Sequence, residues 1–144
     1  MSVLETVRYE ITDIHEFFAD WFNGNIARDQ LESRLLSRFD DCVTYISPEG
    51  HVVGSGALRT MFENSYGANT GFKIQIHDVA IRQQVGTIVL ATYTEWQIGV
   101  SNSDPSNNAR ITSALIDMGP PVKWLHIHET WLPEKGRAAG SFDF

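Results

Sequence analysis

One switch of hydrophobic period divides this chain and limits its fold more than any other feature. From residue 11 to residue 22, Ile11, Ile14, Phe18, Trp21 and Phe22 recur every three or four positions, with Phe17 beside them. That is the spacing of one helix face. From Phe72 onward the period is two. Phe72-Lys73-Ile74-Gln75-Ile76-His77 alternates strictly, and Thr87 to Val100 is rich in β-branched and aromatic residues. Helices first and strands second is the α+β pattern.

Local signals fill in the elements. Thr12 reads as the N-cap of the first helix and Gly24 as its stop. Asp29 and Glu32 have capping-box spacing ahead of a face made by Leu31, Leu35, Leu36 and Phe39. Cys42 to Ile46 reads as a short strand, Pro48-Glu49-Gly50 as a turn, and His51-Val52-Val53 as a brief return. A third helix opens at Gly54-Ser55-Gly56 with Ser55 as cap, carries Leu58, Met61 and Phe62 inward, and ends at Gly67. Four long strands follow. The last two, Arg110–Met118 and Val122–Leu132, are joined by Gly119-Pro120-Pro121, so an antiparallel meander is expected.

Composition narrows the function classes. At 144 residues the chain suits one domain, 1–144, with its core at about 10–133 and a tail at 134–144. Eighteen acidic against eleven basic side chains give a formal charge of −7. With no basic cluster, nucleic acid and anionic membranes are excluded as partners. No basic stretch followed by an apolar one opens the sequence, and no apolar run is long enough to span a bilayer, so a cytoplasmic location is the expectation. Cys42 is the one cysteine, so no internal disulfide forms. Beside Asp40 and Asp41 it suits a small buried strand residue better than a nucleophile. Gly54-Ser55-Gly56 lacks a nucleotide fingerprint and reads as a turn and cap, so no cofactor is expected.

Strand parity assigns faces. If Gly119-Pro120 centres the last hairpin, Ile127 lies near Ala114 and Glu129 near Thr112. If Asp104 centres the preceding loop, Glu95 lies near Ser113. The more apolar set then faces the helices, with Ile88, Leu90, Thr92, Thr94, Trp96 and Ile98 on one strand. Thr112, Ala114, Ile116, Met118, Leu125, Ile127, Glu129 and Trp131 complete it. The outer set is Tyr93, Glu95, Gln97, Ser113, Asp117, Trp124, His126 and His128. A slip of one residue would exchange the two faces.

This order of elements resembles the nuclear transport factor 2-like superfamily, in its SnoaL-like and uncharacterised branch. Two stretches carry the resemblance. One runs from Phe39-Asp40-Asp41 through Gly50, Gly54, Leu58 and Phe62. The other is Trp124-Leu125-His126-Ile127-His128-Glu129-Thr130-Trp131-Leu132-Pro133, similar to a SnoaL-like terminal strand but with Thr130 where a second histidine is usual. The resemblance implies three N-terminal helices on a strongly curved, mainly antiparallel sheet, with a conical pocket between them. Pocket residues would be Phe17, Trp21, Tyr45, Ser47, Phe62, Thr94, Trp96, Thr112 and Trp131, with Glu129 as the catalytic candidate. It also implies a homodimer through the outer sheet face, using Tyr93, Glu95, Ser113, Trp124, His126 and His128.

Ketosteroid-isomerase chemistry is argued against. Ser47, Phe17 and Thr112 stand where that family has its Asp base, its Tyr and its protonated Asp. Serine without a base does not take a carbon-bound proton, and phenylalanine donates no hydrogen bond. No complete Asp-Arg-Asp set of the epoxide-hydrolase kind can be placed either. Glu129 remains, and its structural alternative, a pairing with Arg110 or solvent, weighs more than catalysis. His126 and His128 share a face, with Glu95 or Asp117 as a possible third ligand, but two ligands do not make a zinc site and no metal is expected. His15, His51 and His77 read as surface residues.

Three functions stay open, in this order. The first is a binding protein for a small apolar or amphipathic molecule. The second is a SnoaL-like enzyme of isomerase, cyclase, dehydratase or hydrolase type using Glu129. The third is a ligand-free dimeric interaction domain. The −7 charge favours an uncharged or cationic guest unless Arg59 or Arg110 compensates.

Overall fold

In a computed structural model, which describes residues 1–101, 106–135, 142 and 144, three helices pack on one side of a six-stranded sheet. The helices are α1 (Val3–Asn23), α2 (Gln30–Arg34) and α3 (Ser55–Glu63). The strands are β1 (Phe39–Ile46), β2 (Val52–Val53), β3 (Lys73–Val85), β4 (Ile88–Ile98), β5 (Asn108–Asp117) and β6 (Lys123–Trp131). Sheet order is β2-β1-β6-β5-β4-β3, antiparallel except where β1 lies parallel to β6. The long strands form the expected meander, and β1 crosses over to its far side.

The first helix begins earlier than its apolar stripe suggests. Ser2, not Thr12, is the N-cap, in a reciprocal capping box with Glu5. Val7 extends the buried stripe back by a turn. Gly24 closes the helix at φ 72°, where a side chain would be strained. Asp29 makes no capping bond, so α2 is one short turn followed by a single 3-10 turn over Leu36–Arg38. In α3 the cap is Gly54 and the helix stops before Asn64, not at Gly67. Cys42 is exposed, correcting the buried placement expected for it. None of the described helices is long and apolar enough to cross a membrane.

Register is where expectation and structure part. Between β5 and β6 the pairs are Thr112 with Glu129 and Ala114 with Ile127, as the hairpin arithmetic gives. Between β4 and β5, Glu95 lies opposite Arg110, not Ser113. The pairing is three residues out, an odd slip, so every β4 side chain exchanges faces. The loop centred on Asp104 falls outside the described residues. At its base, Val100 N–H donates to the Ser106 carbonyl at 2.9 Å, and Gly99 N–H donates to Asn107 at 3.1 Å.

The helix-facing side of β4 is therefore Val89, Ala91, Tyr93, Glu95 and Gln97, all buried. Thr94 and Trp96 turn outward. Thr94 bonds the His77 carbonyl, and Trp96 meets the rings of His77 and Phe142. A bulge between Leu115 and Ile116 also turns Trp124 inward, where it is 1 % exposed. Tyr93, Glu95 and Trp124 thus cannot form an outer surface. Of the six residues expected there, Ser113, His126 and His128 remain on the outer face.

The core runs from α1 (Val7, Ile11, Ile14, Phe17, Trp21) across to Val89, Ala91, Ala114 and Ile116. Trp21 Nε1 donates to the Phe62 carbonyl at 2.8 Å, which pins α1 to α3. At the opposite end, Glu10 accepts from Arg38 Nε and from Trp124 Nε1, both at 2.9 Å. That arrangement satisfies a buried carboxylate with a cation and an indole.

Candidate functional site

A cavity of about 230 Å³ opens between the helices and the sheet. Its helical side is a wall of rings and aliphatic chains: Phe18 and Phe22 from α1, Leu58, Met61 and Phe62 from α3, and Phe72 ahead of β3. Phe62 stacks on Phe18 with centroids 5.4 Å apart and on Phe22 at 6.0 Å. These residues recur at helical spacing, so the stripe that buries each helix also builds this wall.

The sheet side is polar, and the register explains why. Tyr93, Thr112 and Glu129 form one cross-strand row, and Glu95 and Arg110 lie in the next. The Arg110 guanidinium sits between the two carboxylates. Its Nη1 donates to Glu129 Oε1 at 3.1 Å, its Nε faces Glu95 Oε2 at 3.7 Å, and its Nη2 donates to Gln97 at 3.0 Å. Burial acts against that charge, but Glu95 and Glu129 outweigh it, so the guanidinium is held charged. Trp131 lies over the guanidinium at 4.6 Å, outside the cavity wall.

His15 completes the network from α1 and is 4 % exposed, so the surface placement expected for it is corrected. It lies 2.8 Å from Glu95 Oε1 through Nε2, while Nδ1 is 2.7 Å from the Ile11 carbonyl. A carbonyl only accepts, so Nδ1 carries a proton.

The two glutamates differ. Burial pushes the Glu95 carboxyl up, but the paired His15 and then Arg110 outweigh it and hold it below the usual range. Glu129 is raised, first by burial and then by the nearby Glu95 charge, against the pull of Arg110. Tyr45 donates its phenol proton to Glu129 Oε1. Burial and Glu129 push the Tyr45 phenol far up, and burial and Glu95 do the same to Tyr93, so both stay protonated. Both bonds to Glu129 fall on Oε1, and Oε2 has no hydrogen-bond partner among the described residues. The two carboxyls are pushed apart by their surroundings, Glu95 downward and Glu129 upward.

The residues named from sequence separate clearly. Tyr45, Phe62 and Glu129 line the cavity. Phe17 and Trp21 are packed in the core behind it, because one turn of α1 presents Phe18 and Phe22 instead. Ser47 sits in the β1–β2 turn, bonding the His51 amide. Thr112 lies in the polar row yet is fully buried, with no partner for Oγ1 among the described residues. Thr94 and Trp96 are on the outer face. Glu129 is paired with Arg110 and also borders the cavity, so the two readings of it are joined, not opposed. Sequence reasoning missed His15, Tyr93, Glu95 and Gln97. For His15 a signal existed: it lies four residues from Ile11 and three from Phe18, on the buried stripe. Among the described residues no three His, Cys, Asp or Glu side chains gather as a metal set, and Glu95 lies on the face opposite His126 and His128.

This arrangement, helices over a six-stranded sheet whose helix-facing side carries a buried polar network, is the nuclear transport factor 2-like fold. A nuclear transport factor 2-like protein of unknown function from Pseudomonas aeruginosa superposes with a TM-score of 0.80 at 24% identity, covering 89% of this chain and 99% of that one. The calmodulin-dependent kinase II hub homology domain of Chlamydomonas reinhardtii gives 0.69 at 15% identity, over 92% and 100%. A nuclear transport factor 2-like protein from Streptomyces avermitilis, provisionally named a dehydratase, gives 0.67 at 17%, over 90% and 96%. No protein-family model and no curated protein matches the sequence. At these identities the likeness defines the fold and leaves the activity to the site.

Proposed function

We propose that this protein holds a small, mainly apolar molecule in the cavity, with the guest's polar end against Glu129. The make-up of the cavity carries this reading: aromatic and aliphatic on the helical side, with Tyr45, Glu95, Arg110 and Glu129 on the sheet side. Small-molecule sites have this composition. Ordinary cores hold few voids larger than a water molecule. At ~30 Å³ per water the space equals roughly eight waters, which suits a guest of about ten non-hydrogen atoms. The test is a titration with ethylbenzene followed by methyl NMR. Saturable binding is expected, and Ile74→Phe, which adds bulk at the half-buried edge of the cavity, should weaken it. Unchanged binding in that variant would place the guest elsewhere.

An enzymatic form of this reading assigns Glu129 the proton transfer. The favouring observation is a buried carboxyl, raised by burial and by Glu95, with Oε2 left without a partner among the described residues. Cyclohexanone in deuterated water tests it. The protein should speed exchange at the carbons beside the carbonyl, and Glu129→Gln should abolish that rate with little change in melting temperature. Exchange at the buffer rate with intact protein removes the enzymatic form.

Self-association through the outer sheet face is part of the proposal as well. Ile88 and Ile111 are 38% and 40% exposed there, beside half-buried Leu115 and Trp96. Sedimentation of the wild type and of Ile111→Asp checks it, with a shift toward monomer expected for the variant.

A further inference from the structure

We infer that the guest's polar head is a hydroxyl group on an otherwise apolar body, and that carboxylates and amines are turned away. The inference rests on the small-molecule reading above and narrows its ligand class. It follows from which hydrogen-bonding valences on the polar wall are already used.

Most of the donors are committed among the described residues, Arg110 Nε being the exception. Arg110 Nη1 is on Glu129 at 3.1 Å, and Nη2 is on Gln97 at 3.0 Å and Asn108 at 3.4 Å. Its Nε is buried and faces Glu95 at 3.7 Å. His15 is held between the Ile11 carbonyl at 2.7 Å and Glu95 at 2.8 Å. Gln97 Nε2 donates to Glu95, and the Tyr45 hydroxyl donates to Glu129 Oε1. A carboxylate entering this wall would have to share Arg110 with Glu95 and Glu129, which already lie 3.7 and 3.1 Å from it, and would sit beside both of their carboxyl groups.

Among the described residues the valence that stays open is Glu129 Oε2, in a side chain 6 % exposed. A hydrocarbon would cover it and leave it dry and unbonded, which is costly. An ammonium group could give it one hydrogen bond, but its other two N–H groups would lose water in a mainly apolar cavity, and its charge would sit near the Arg110 guanidinium. A hydroxyl donates its single proton to Oε2. Its oxygen can accept from Tyr93, whose protonated phenol stands in the same cross-strand row as Glu129 and has only a long 3.4 Å contact, to His15 Nε2, among the described residues.

The experiment measures affinities of the full chain for 4-ethylphenol, ethylbenzene, 4-ethylbenzoate and 4-ethylbenzylamine at neutral pH by methyl NMR. The phenol should bind about tenfold tighter than ethylbenzene, as one well-made buried hydrogen bond supplies. The benzoate and the amine should bind more weakly than ethylbenzene. In Glu129→Gln, Tyr45 and Arg110 hold the amide oxygen in the Oε1 position, so an NH2 donor replaces the Oε2 acceptor. Preference should then move from 4-ethylphenol to the acceptor 4-ethylacetophenone, a reversal that loss of packing would not produce. If the variant does not fold, the wild-type series decides alone. A benzoate or amine that binds tightest, or a phenol no better than ethylbenzene, overturns this inference and leaves the small-molecule reading standing. If none of the four binds, both fall.

Discussion

Exchanging each buried glutamate for glutamine should have unequal consequences, because one carboxylate is held by its neighbours and the other is tolerated. Glu95 lies 2.8 Å from His15 and 3.7 Å from Arg110, at 4 % exposure. Glu95→Gln removes the anion from a buried network and leaves the Arg110 guanidinium with one carboxylate fewer, which costs about 3–5 kcal/mol. Unfolding entropy of ~2.1 cal/mol/K per residue gives roughly 0.3 kcal/mol/K for a chain this long, so the melting temperature should fall about 10–16 °C. Glu129 sits where burial and Glu95 already disfavour its charge. Glu129→Gln should cost about 1 kcal/mol or less, a shift of about 3 °C.

The pH dependence separates the two further. Glu95 is depressed in the folded state, so its contribution is present above the unfolded carboxyl pKa and is lost as pH falls through the folded value. The deficit of Glu95→Gln should therefore shrink in acid. Glu129 is raised, so its ionised form weakens the fold at neutral pH, and the wild type gains on Glu129→Gln as pH falls through the folded value. Circular dichroism melts at pH 7 and in the acid range measure both trends. Equal losses for the two variants at neutral pH would refute the division of roles.

Other perturbations test the scaffold and the faces. Trp124→Phe removes the 2.9 Å bond to Glu10 in a fully buried place and should cost about 1–3 kcal/mol in urea unfolding. Gly99→Ala should cost about 2 kcal/mol in the same assay. Gly99 has φ +70°, and a Cβ would stand 2.9 Å from the Gly71 carbonyl oxygen. His128→Ala, on the outer face, should change stability by less than about 0.5 kcal/mol and leave guest affinity unaltered.

The element order was legible because the period switch near Phe72 is strong and turn residues punctuate it. The β5–β6 register was legible for a related reason: Gly119-Pro120-Pro121 fixes the hairpin centre. The β4 faces were not. Their long loop gives no fixed centre, and hydrophobicity pointed the wrong way. Ile88, Leu90, Trp96 and Ile98 look like the inner face, yet the inner face is Tyr93, Glu95 and Gln97 because that is where the polar wall lies. Glu129 was found because β6 parity was secure. Its partners on β4 and α1 were hidden by the same odd slip, and by a histidine that occupies an apolar stripe.

The most direct test of the account is a titration of the isotope-labelled chain with 4-ethylphenol, followed at methyl groups. Saturable shifts and ring-to-methyl contacts are predicted at Ile14, Met61, Ile74 and Ile127, which line the cavity. Ile88, Ile111 and Leu115, on the outer face, should stay unmoved. Shifts confined to the outer face, or none that saturate, would contradict the claim that this cavity is a binding site.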